Sequence, residues 1–334
     1  MKNIPLIDAR SPSEYAHSHI PGAINIPLLD DEHRKIIGTT YKQQGREAAV
    51  LKGFDLVGPK FGDIARAAKS QLDSREVKVY CWRGGMRSHI LSWVLELSGF
   101  KVTILKGGYK AYRNKMLAAC KEPRKVIVLG GRTGSGKTEL LKHLAALGEQ
   151  VIDLESLAHH KGSAFGALGE LPQPRYEYFE NQLAEAWLQC SADKVLWLEN
   201  ESRLIGQVKI PDIIYDRIRK SPMIEVVLPH DMRVERIMND YGKFPKDVLI
   251  QTTEKIKKRL GGLRLTESIK ALEEDRRIDW VNFMLEYYDK MYDYGNTLRK
   301  PEDCHSLAIQ PGENFIDFAR RIQQLSAQIT FHHE

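Results

Sequence analysis

The stretch Tyr80-Cys81-Trp82-Arg83-Gly84-Gly85-Met86-Arg87-Ser88 decides how this chain is read. The β-prone residues Val77 to Tyr80 lead into one cysteine, and two glycines and two arginines follow within six positions. Ile90, Leu91, Val94 and Leu95 then recur at helical spacing, with Ser88 at a favourable N-cap position. The pattern predicts strand, tight loop and helix, with a thiol at the floor of the loop. Backbone N–H groups of such a loop converge on one point, and the helix N-terminus adds partial positive charge. Arg83 and Arg87 add full charges. A free thiol with a pKa near ~8.5 is only about 3% thiolate at pH 7; lowering it to ~7 makes it about half thiolate, a shift worth roughly 2 kcal/mol. The loop therefore reads as an activated nucleophile and an anion receptor. A buried structural cysteine beside a glycine turn is the bland alternative, and two flanking arginines argue against it.

Working outward, Leu6-Ile7-Asp8-Ala9-Arg10 reads as a short strand and Ser11-Pro12-Ser13-Glu14 as a helix start. His17 to Pro27 reads as a turn and a short strand, residues 30–60 as polar and Gly-broken with a helical stretch near Tyr41 to Leu51, and Phe61–Leu72 as a helix. After the Ile90–Leu97 helix come Gly99, a strand over Lys101–Leu105, and Lys106-Gly107-Gly108-Tyr109. Strands alternating with helices imply a parallel α/β sheet. Asp8-Ala9-Arg10 with Glu14, His19-Ile20-Pro21-Gly22-Ala23, the Cys81 loop and Gly107-Gly108 together resemble the rhodanese (sulfurtransferase) domain from end to end. That resemblance implies a cysteine able to carry a persulfide. The commonest rhodanese loop closes with an arginine five positions after the cysteine, whereas Arg87 lies six positions on, as C-x5-R. The longer loop is similar to that of phosphatase-like relatives, which implies a pocket for a tetrahedral oxyanion.

Lys121-Glu122-Pro123-Arg124-Lys125 reads as a charged hinge between a rhodanese-like domain over 1–120 and a second domain over 121–334. The second opens with Val126-Ile127-Val128-Leu129 and then Gly131-Arg132-Thr133-Gly134-Ser135-Gly136-Lys137-Thr138, a G-x-x-x-x-G-K-T motif set between an apolar strand and a helix. Its glycines let backbone N–H groups cradle a diphosphate or nucleotide, Lys137 neutralises it, and Thr138 is placed to ligate Mg²⁺. Two further strands, Val151 to Glu155 and Val195 to Leu198, end in carboxylates. Asp153 and Glu199 both suit the metal-side acid of a P-loop fold, and exposed strand-end acids are the alternative for each. Glu201 and Arg203 follow as acid or substrate contacts. Between the strands lies His159-His160-Lys161-Gly162-Ser163-Ala164-Phe165-Gly166, whose histidines lack a third ligand nearby.

Beyond residue 211 the pattern turns helical and charged. Val226 to Leu228 is a strand candidate; Arg233–Tyr241, Asp247–Leu260, Thr266–Glu274 and Ile278–Met291 read as helices. Lys161, Arg259, Arg264, Arg276 and Arg277 are candidate phosphate contacts, and a solvated helical face is the alternative for each arginine. The aromatics from Trp280 to Tyr294 suit packing between helices. The whole therefore reads as α/β: an N-terminal rhodanese-like parallel sheet and a C-terminal P-loop domain with a helical extension.

The chain has 334 residues and a net charge of +6. Residues 1–120 hold 19 basic and 11 acidic residues, a net +8, and the remainder is −2. A basic N-terminal half attracts a polyanion or anionic small substrates. The apolar runs are too short for a transmembrane helix, and Met1 to Pro5 leads into a strand without an apolar leader. The four cysteines, 81, 120, 190 and 304, form no C-x-x-C or zinc spacing, which suits a reducing cytoplasm and one working thiol.

A thiol loop joined to a P-loop resembles one family over essentially the whole chain, the bacterial tRNA 2-selenouridine synthases. The Cys81 loop, Gly131 to Thr138, Lys161-Gly162-Ser163-Ala164-Phe165-Gly166, Gln173-Pro174, Phe179-Glu180 and Glu199 to Gly206 carry the resemblance. The family's usual arginine is Lys161 here, which keeps the charge and loses the bidentate fork. The resemblance implies that wobble 2-thiouridine of tRNA is S-geranylated from geranyl diphosphate and that selenium from selenophosphate then displaces the geranylthio group. It implies no tightly bound cofactor, with Mg²⁺ at Thr138 as an option, tRNA and a selenophosphate-supplying enzyme as partners, and no membrane. Cys81 would take the selenium or assist its transfer, with Arg83 and Arg87 beside it. An ATP-dependent tRNA sulfurtransferase, a phosphatase-like rhodanese fused to an NTPase, and a non-enzymatic NTP-gated RNA-binding switch remain as alternatives. A phosphatase of this kind usually has histidine where Tyr80 stands, and a switch would leave Cys81 without a task.

Overall fold

A computed structural model describes residues 4–297 and 299–331. The chain separates into two compact units, one made of Met1–Ala119 with Arg175–Glu185, the other of Cys120–Pro174 with Ala186–Glu334. No helix among the described residues is long and apolar enough to cross a membrane.

The first unit runs β1 (Leu6–Asp8), α1 (Pro12–His17), β2 (Ile24–Asn25), α2 (Asp31–Val57), α3 (Phe61–Gln71), β3 (Glu76–Tyr80), α4 (Met86–Leu97), β4 (Lys101–Ile104) and α5 (Gly108–Ala119). Its strands are all parallel, in the order β2-β1-β3-β4. The core gathers Ile7, Val77, Val79, Leu91 and Leu95, each fully buried. Cys81 follows β3 at the carboxyl end of the sheet, beside β1, where the strand order reverses. That is where open parallel sheets form a crevice. Two local expectations change. The helix after the loop starts at Met86 with Gly85 as N-cap, so Ser88 lies inside its first turn rather than capping it. Residues 31–57 form one long helical run with a break at Gly45 (φ 88°), because only glycine holds that backbone without strain.

The second unit continues with β5 (Val126–Gly130), α6 (Lys137–Ala146), β6 (Gln150–Val151), α7 (Leu154–Ala158), α8 (Tyr176–Gln189, whose first ten residues belong to the first unit), β7 (Leu196–Glu199), β8 (Leu204–Ile205), β9 (Val208–Lys209), α9 (Asp212–Lys220) and β10 (Met223–Val227). It ends with α10 (His230–Tyr241), α11 (Lys246–Lys255), α12 (Lys257–Leu260), α13 (Gly262–Glu273), α14 (Arg277–Asn296), β11 (Cys304–Ala308) and α15 (Phe315–Ser326). The sheet is parallel with order β11-β10-β5-β7-β6. Central β5 is buried on both faces, which is why Val126 to Leu129 reads as an unbroken apolar run. β5 has β10 on one side and β7 on the other, so the P-loop after it opens at the switch point. A second core, around Trp280, Leu285, Leu272 and Leu249, ties α10 to α14 together. The sequence periodicity missed β11 and α15. Asn314 starts α15 by accepting from the Ile316 and Asp317 N–H groups at 3.0 and 2.9 Å.

Candidate active site

In the first unit Cys81 is buried. Its Sγ accepts the Gly85 N–H at 3.3 Å and lies 3.3 Å from Ser88 Oγ. Ser88 Oγ can donate instead to the Gly85 carbonyl, 2.8 Å away, so the hydroxyl proton has two acceptors and turns to sulfur when sulfur is ionised. Burial works against ionisation. The Ser88 hydroxyl and N–H, the Arg83 backbone and the Arg87 charge outweigh it and hold the thiol below its ordinary range. Arg87 lies on α4 and pairs with Glu14, at 2.5 and 3.3 Å, on α1. Glu14 also accepts the Ser11 N–H as part of a capping box, and its carboxyl titrates below its usual range. Arg83 is exposed and makes no ion pair among the described residues.

Gly108 matters because backbone passes close. A Cβ on Gly108 (φ +58°) would sit 2.2 Å from the Cys81 carbonyl oxygen and 2.5 Å from Gly84 N. The N–H groups of Tyr109 and Lys110, at the start of α5, donate to the carbonyls of Cys81 and Trp82 at 2.9 Å each. Helix α5 thus clamps the loop from below. Tyr109 is clamped in turn: its hydroxyl meets Ser18 Oγ at 2.8 Å and Glu177 at 2.6 Å, and accepts from Asn181 at 2.9 Å. Asn181 is fully buried and Glu177 lies on the same helical segment of α8. Nothing in the sequence pattern marks that distant segment as part of the first unit.

Two predictions arise here. Ser88→Ala removes a donor to the thiolate, so the pH midpoint for alkylation of Cys81 by iodoacetamide should rise by about one unit or more. An unchanged midpoint would mean that the hydroxyl plays no part in ionisation. Gly108→Ala should lower the urea midpoint by an amount equivalent to roughly 1–3 kcal/mol, from overlap with the Cys81 carbonyl and a strained φ. It should also return the thiol's alkylation profile toward that of an ordinary cysteine; wild-type stability and profile together would refute the clamp.

In the second unit the P-loop has the backbone its glycines predict. Gly131, Gly134 and Gly136 have φ of 150°, 79° and 74°, and Gly136 is the left-handed N-cap of α6. Ser135 is buried, its N–H donates to the Arg132 carbonyl at 3.0 Å, and its Oγ has no hydrogen-bond partner among the described residues. Lys137 Nζ donates to the Gly131 carbonyl at 2.9 Å, arched over the loop. The loop is braced from behind by residues the motif does not include. Arg233 donates to the Thr133 carbonyl at 2.8 Å and pairs with Asp289 at 2.5 Å. Arg132 pairs with Asp293 at 2.8 Å, and the Tyr292 hydroxyl meets Gly131 N.

The sequence pattern places Glu155 at the end of a strand, but β6 stops at Val151 and Glu155 lies on α7. There its Oε2 accepts from Thr138 Oγ1 at 3.0 Å. Asp153 caps α7 by accepting the Ser156 N–H at 2.7 Å. Glu199, fully buried, accepts the Leu154 N–H at 2.8 Å through Oε2, while its Oε1 has no hydrogen-bond partner among the described residues. Glu201 completes the cluster: a Cβ on Gly162 (φ +68°) would come within 2.8 Å of Glu155 and 3.0 Å of Glu201. Burial, with the neighbouring acids, raises Glu155 and raises Glu199 strongly; it pushes Glu201 up to about 8, Glu155 adding to the rise and Lys137 opposing it. Among the described residues no three His, Cys, Asp or Glu side chains form a metal cage. Mg²⁺ needs none, since it keeps water and substrate phosphate ligands, and Thr138 with Glu155 supplies oxygens of the required kind.

The remaining candidates lie further out. Arg203 pairs with Asp212 at 3.2 Å and stacks on Tyr215, and Lys161 pairs with Glu170 at 3.5 Å. Arg264 pairs with Glu286, Arg276 with Glu274 and Asp279, and Arg277 with Asp275. Arg259 is exposed without an ion pair among the described residues.

Comparison with known proteins adds two family models. The rhodanese-like domain matches residues 1–115, and the tRNA 2-selenouridine synthase AAA domain matches residues 124–307. Among curated proteins the chain is similar to a tRNA 2-selenouridine synthase of Sulfurovum sp. (strain NBC37-1), 36% identical over 88% of this chain and 89% of that one. It is similar to proteins of the same name from Shewanella denitrificans, at 35% over 87% and 88%, and Bdellovibrio bacteriovorus, at 37% over 87% and 88%. A solved N-terminal domain from Clostridium difficile 630 is 43% identical over 34% of this chain and 89% of its own, with a TM-score of 0.32.

Proposed function

Because this chain belongs to the tRNA 2-selenouridine synthase family, transferases acting on tRNA, we propose that it converts wobble 2-thiouridine to 2-selenouridine through an S-geranyl intermediate. The observation that carries this reading is that one chain holds two different anion sites: a donor-lined thiol at Cys81 and a P-loop with Lys137 and Thr138. Geranyl diphosphate needs a diphosphate cradle, and Gly131, Thr133, Gly134, Ser135, Gly136 and Lys137 form one; Thr138 and Glu155 would hold Mg²⁺, which supplies charge to offset the leaving diphosphate. Selenophosphate is a tetrahedral anion and suits the C-x5-R loop, with Arg83 free to meet it. Alkylation makes the C2 sulfur a better leaving group. Selenium then bonds to C2, the C2–S bond breaks with geranylthiolate leaving, and water takes the phosphoryl group from selenium. Cys81 assists this transfer from beside the bound selenophosphate.

The partners under this reading are tRNA and an enzyme that supplies selenophosphate, and a reducing cytoplasm suits a working thiol. The test is nucleoside analysis of bulk tRNA from cells with and without the protein. Selenouridine should vanish without it. Persistence of selenouridine would reject the reading, and loss of 2-thiouridine itself would favour a sulfurtransferase.

A further inference from the structure

Four cations, Lys255, Lys257, Lys258 and Arg259, fall within five residues where α11 passes into α12. Ile256 and Leu260, four apart, are both buried in the helical core of the second unit. That spacing turns the residues between them outward, and all four cations are exposed. None of them makes an ion pair or a side-chain hydrogen bond among the described residues, although Glu254 is adjacent. Their surroundings behave differently: Arg264, Arg276 and Arg277, on α13, before α14 and at its start, each have a carboxylate partner. An unpaired run of this kind is what a polyanion backbone requires.

At its end the run approaches the loop that carries Ala164. Arg259 lies near enough to Tyr288 for its charge to act on that hydroxyl, which accepts the Ala164 N–H at 3.1 Å. Two residues earlier, Gly162 sits against Glu155 and Glu201.

We propose that Lys255, Lys257, Lys258 and Arg259 form a docking surface for the phosphate backbone of the RNA substrate. This rests on the tRNA reading above. The paired arginines 264, 276 and 277 hold the helices and contribute little to binding.

The experiment measures binding of 2-thiouridine tRNA to the full chain across a salt series. The triple variant Lys255→Gln, Lys257→Gln, Lys258→Gln replaces exposed side chains only. Its slope of log K against log[salt] should be shallower than wild type by about 2 to 3, from 0.7–0.9 per phosphate contact. Arg276→Gln should leave the slope unchanged. Equal slopes and affinities for wild type and the triple variant overturn the proposal and leave the tRNA reading standing. A wild-type chain that does not bind tRNA overturns both. A slope lost in Arg276→Gln but kept in the triple variant places the contact on the paired arginines and rejects the surface.

Discussion

Lys137→Ala should block geranylation of 2-thiouridine tRNA while leaving selenation of pre-geranylated tRNA in place. Geranyl diphosphate loses its diphosphate as the C–O bond breaks, and negative charge grows on the leaving oxygens. A cation and preorganised N–H groups stabilise that charge more in the transition state than in the ground state. Lys137 Nζ rests on a loop carbonyl, 2.9 Å from Gly131 O, so it can meet a phosphate without first breaking a carboxylate pair. Removing one such donor typically costs ~10²–10³ in rate. Selenophosphate, on the proposed division of labour, is handled at Cys81 and needs no lysine at the P-loop. Mass spectrometry of the wobble nucleoside reads both steps. A variant that binds pre-geranylated tRNA yet loses selenation as completely as geranylation would show the P-loop serving both.

Cys81→Ala is the mirror experiment. It should abolish 2-selenouridine, accumulate the geranylthio nucleoside and leave tRNA affinity within a few fold. The thiol is buried and its sulfur faces two donors, so its removal changes chemistry without touching a docking surface. Normal selenouridine from the alanine protein would sink the assignment of selenium to this loop. A loss of tRNA binding would instead mean that the loop serves recognition.

Much of this was legible in local sequence. G-x-x-x-x-G-K-T between an apolar strand and a helix specifies its own backbone, because three glycines at left-handed or otherwise strained φ and a helix N-terminus are all encoded within eight residues. Cys81 with Gly84 and Gly85 is similar, and the alternation of strands and helices dictates parallel sheets. Unbroken apolar runs such as Val126–Leu129, short and followed by glycines, suit central strands buried on both faces. Ser88 and Glu155 show where local reading stops. Ser88 satisfies the cap pattern, yet the loop closes one turn sooner and puts its hydroxyl on the sulfur. Glu155 ends the stretch Val151-Ile152-Asp153-Leu154-Glu155 as a strand end would, but Asp153 caps a helix there and turns the next acid onto Thr138.

The sequence by itself determined the α/β class, the thiol loop, the phosphate loop and the acids that follow the strands, since each is a pattern of neighbours. Only the tertiary structure decided which groups work together. Arg87 answers to Glu14 across 73 residues, and Arg233 braces Thr133 across 100. Tyr109 is fixed by Glu177 and Asn181 from the segment Arg175–Glu185, which packs with the first unit although it follows the P-loop in the chain. The same holds for charge: Arg264, Arg276 and Arg277 look like Arg259 in the sequence, and only their folded partners separate the neutralised from the free. Such pairings depend on distances closed by packing of the whole chain, and no short-range periodicity carries that information.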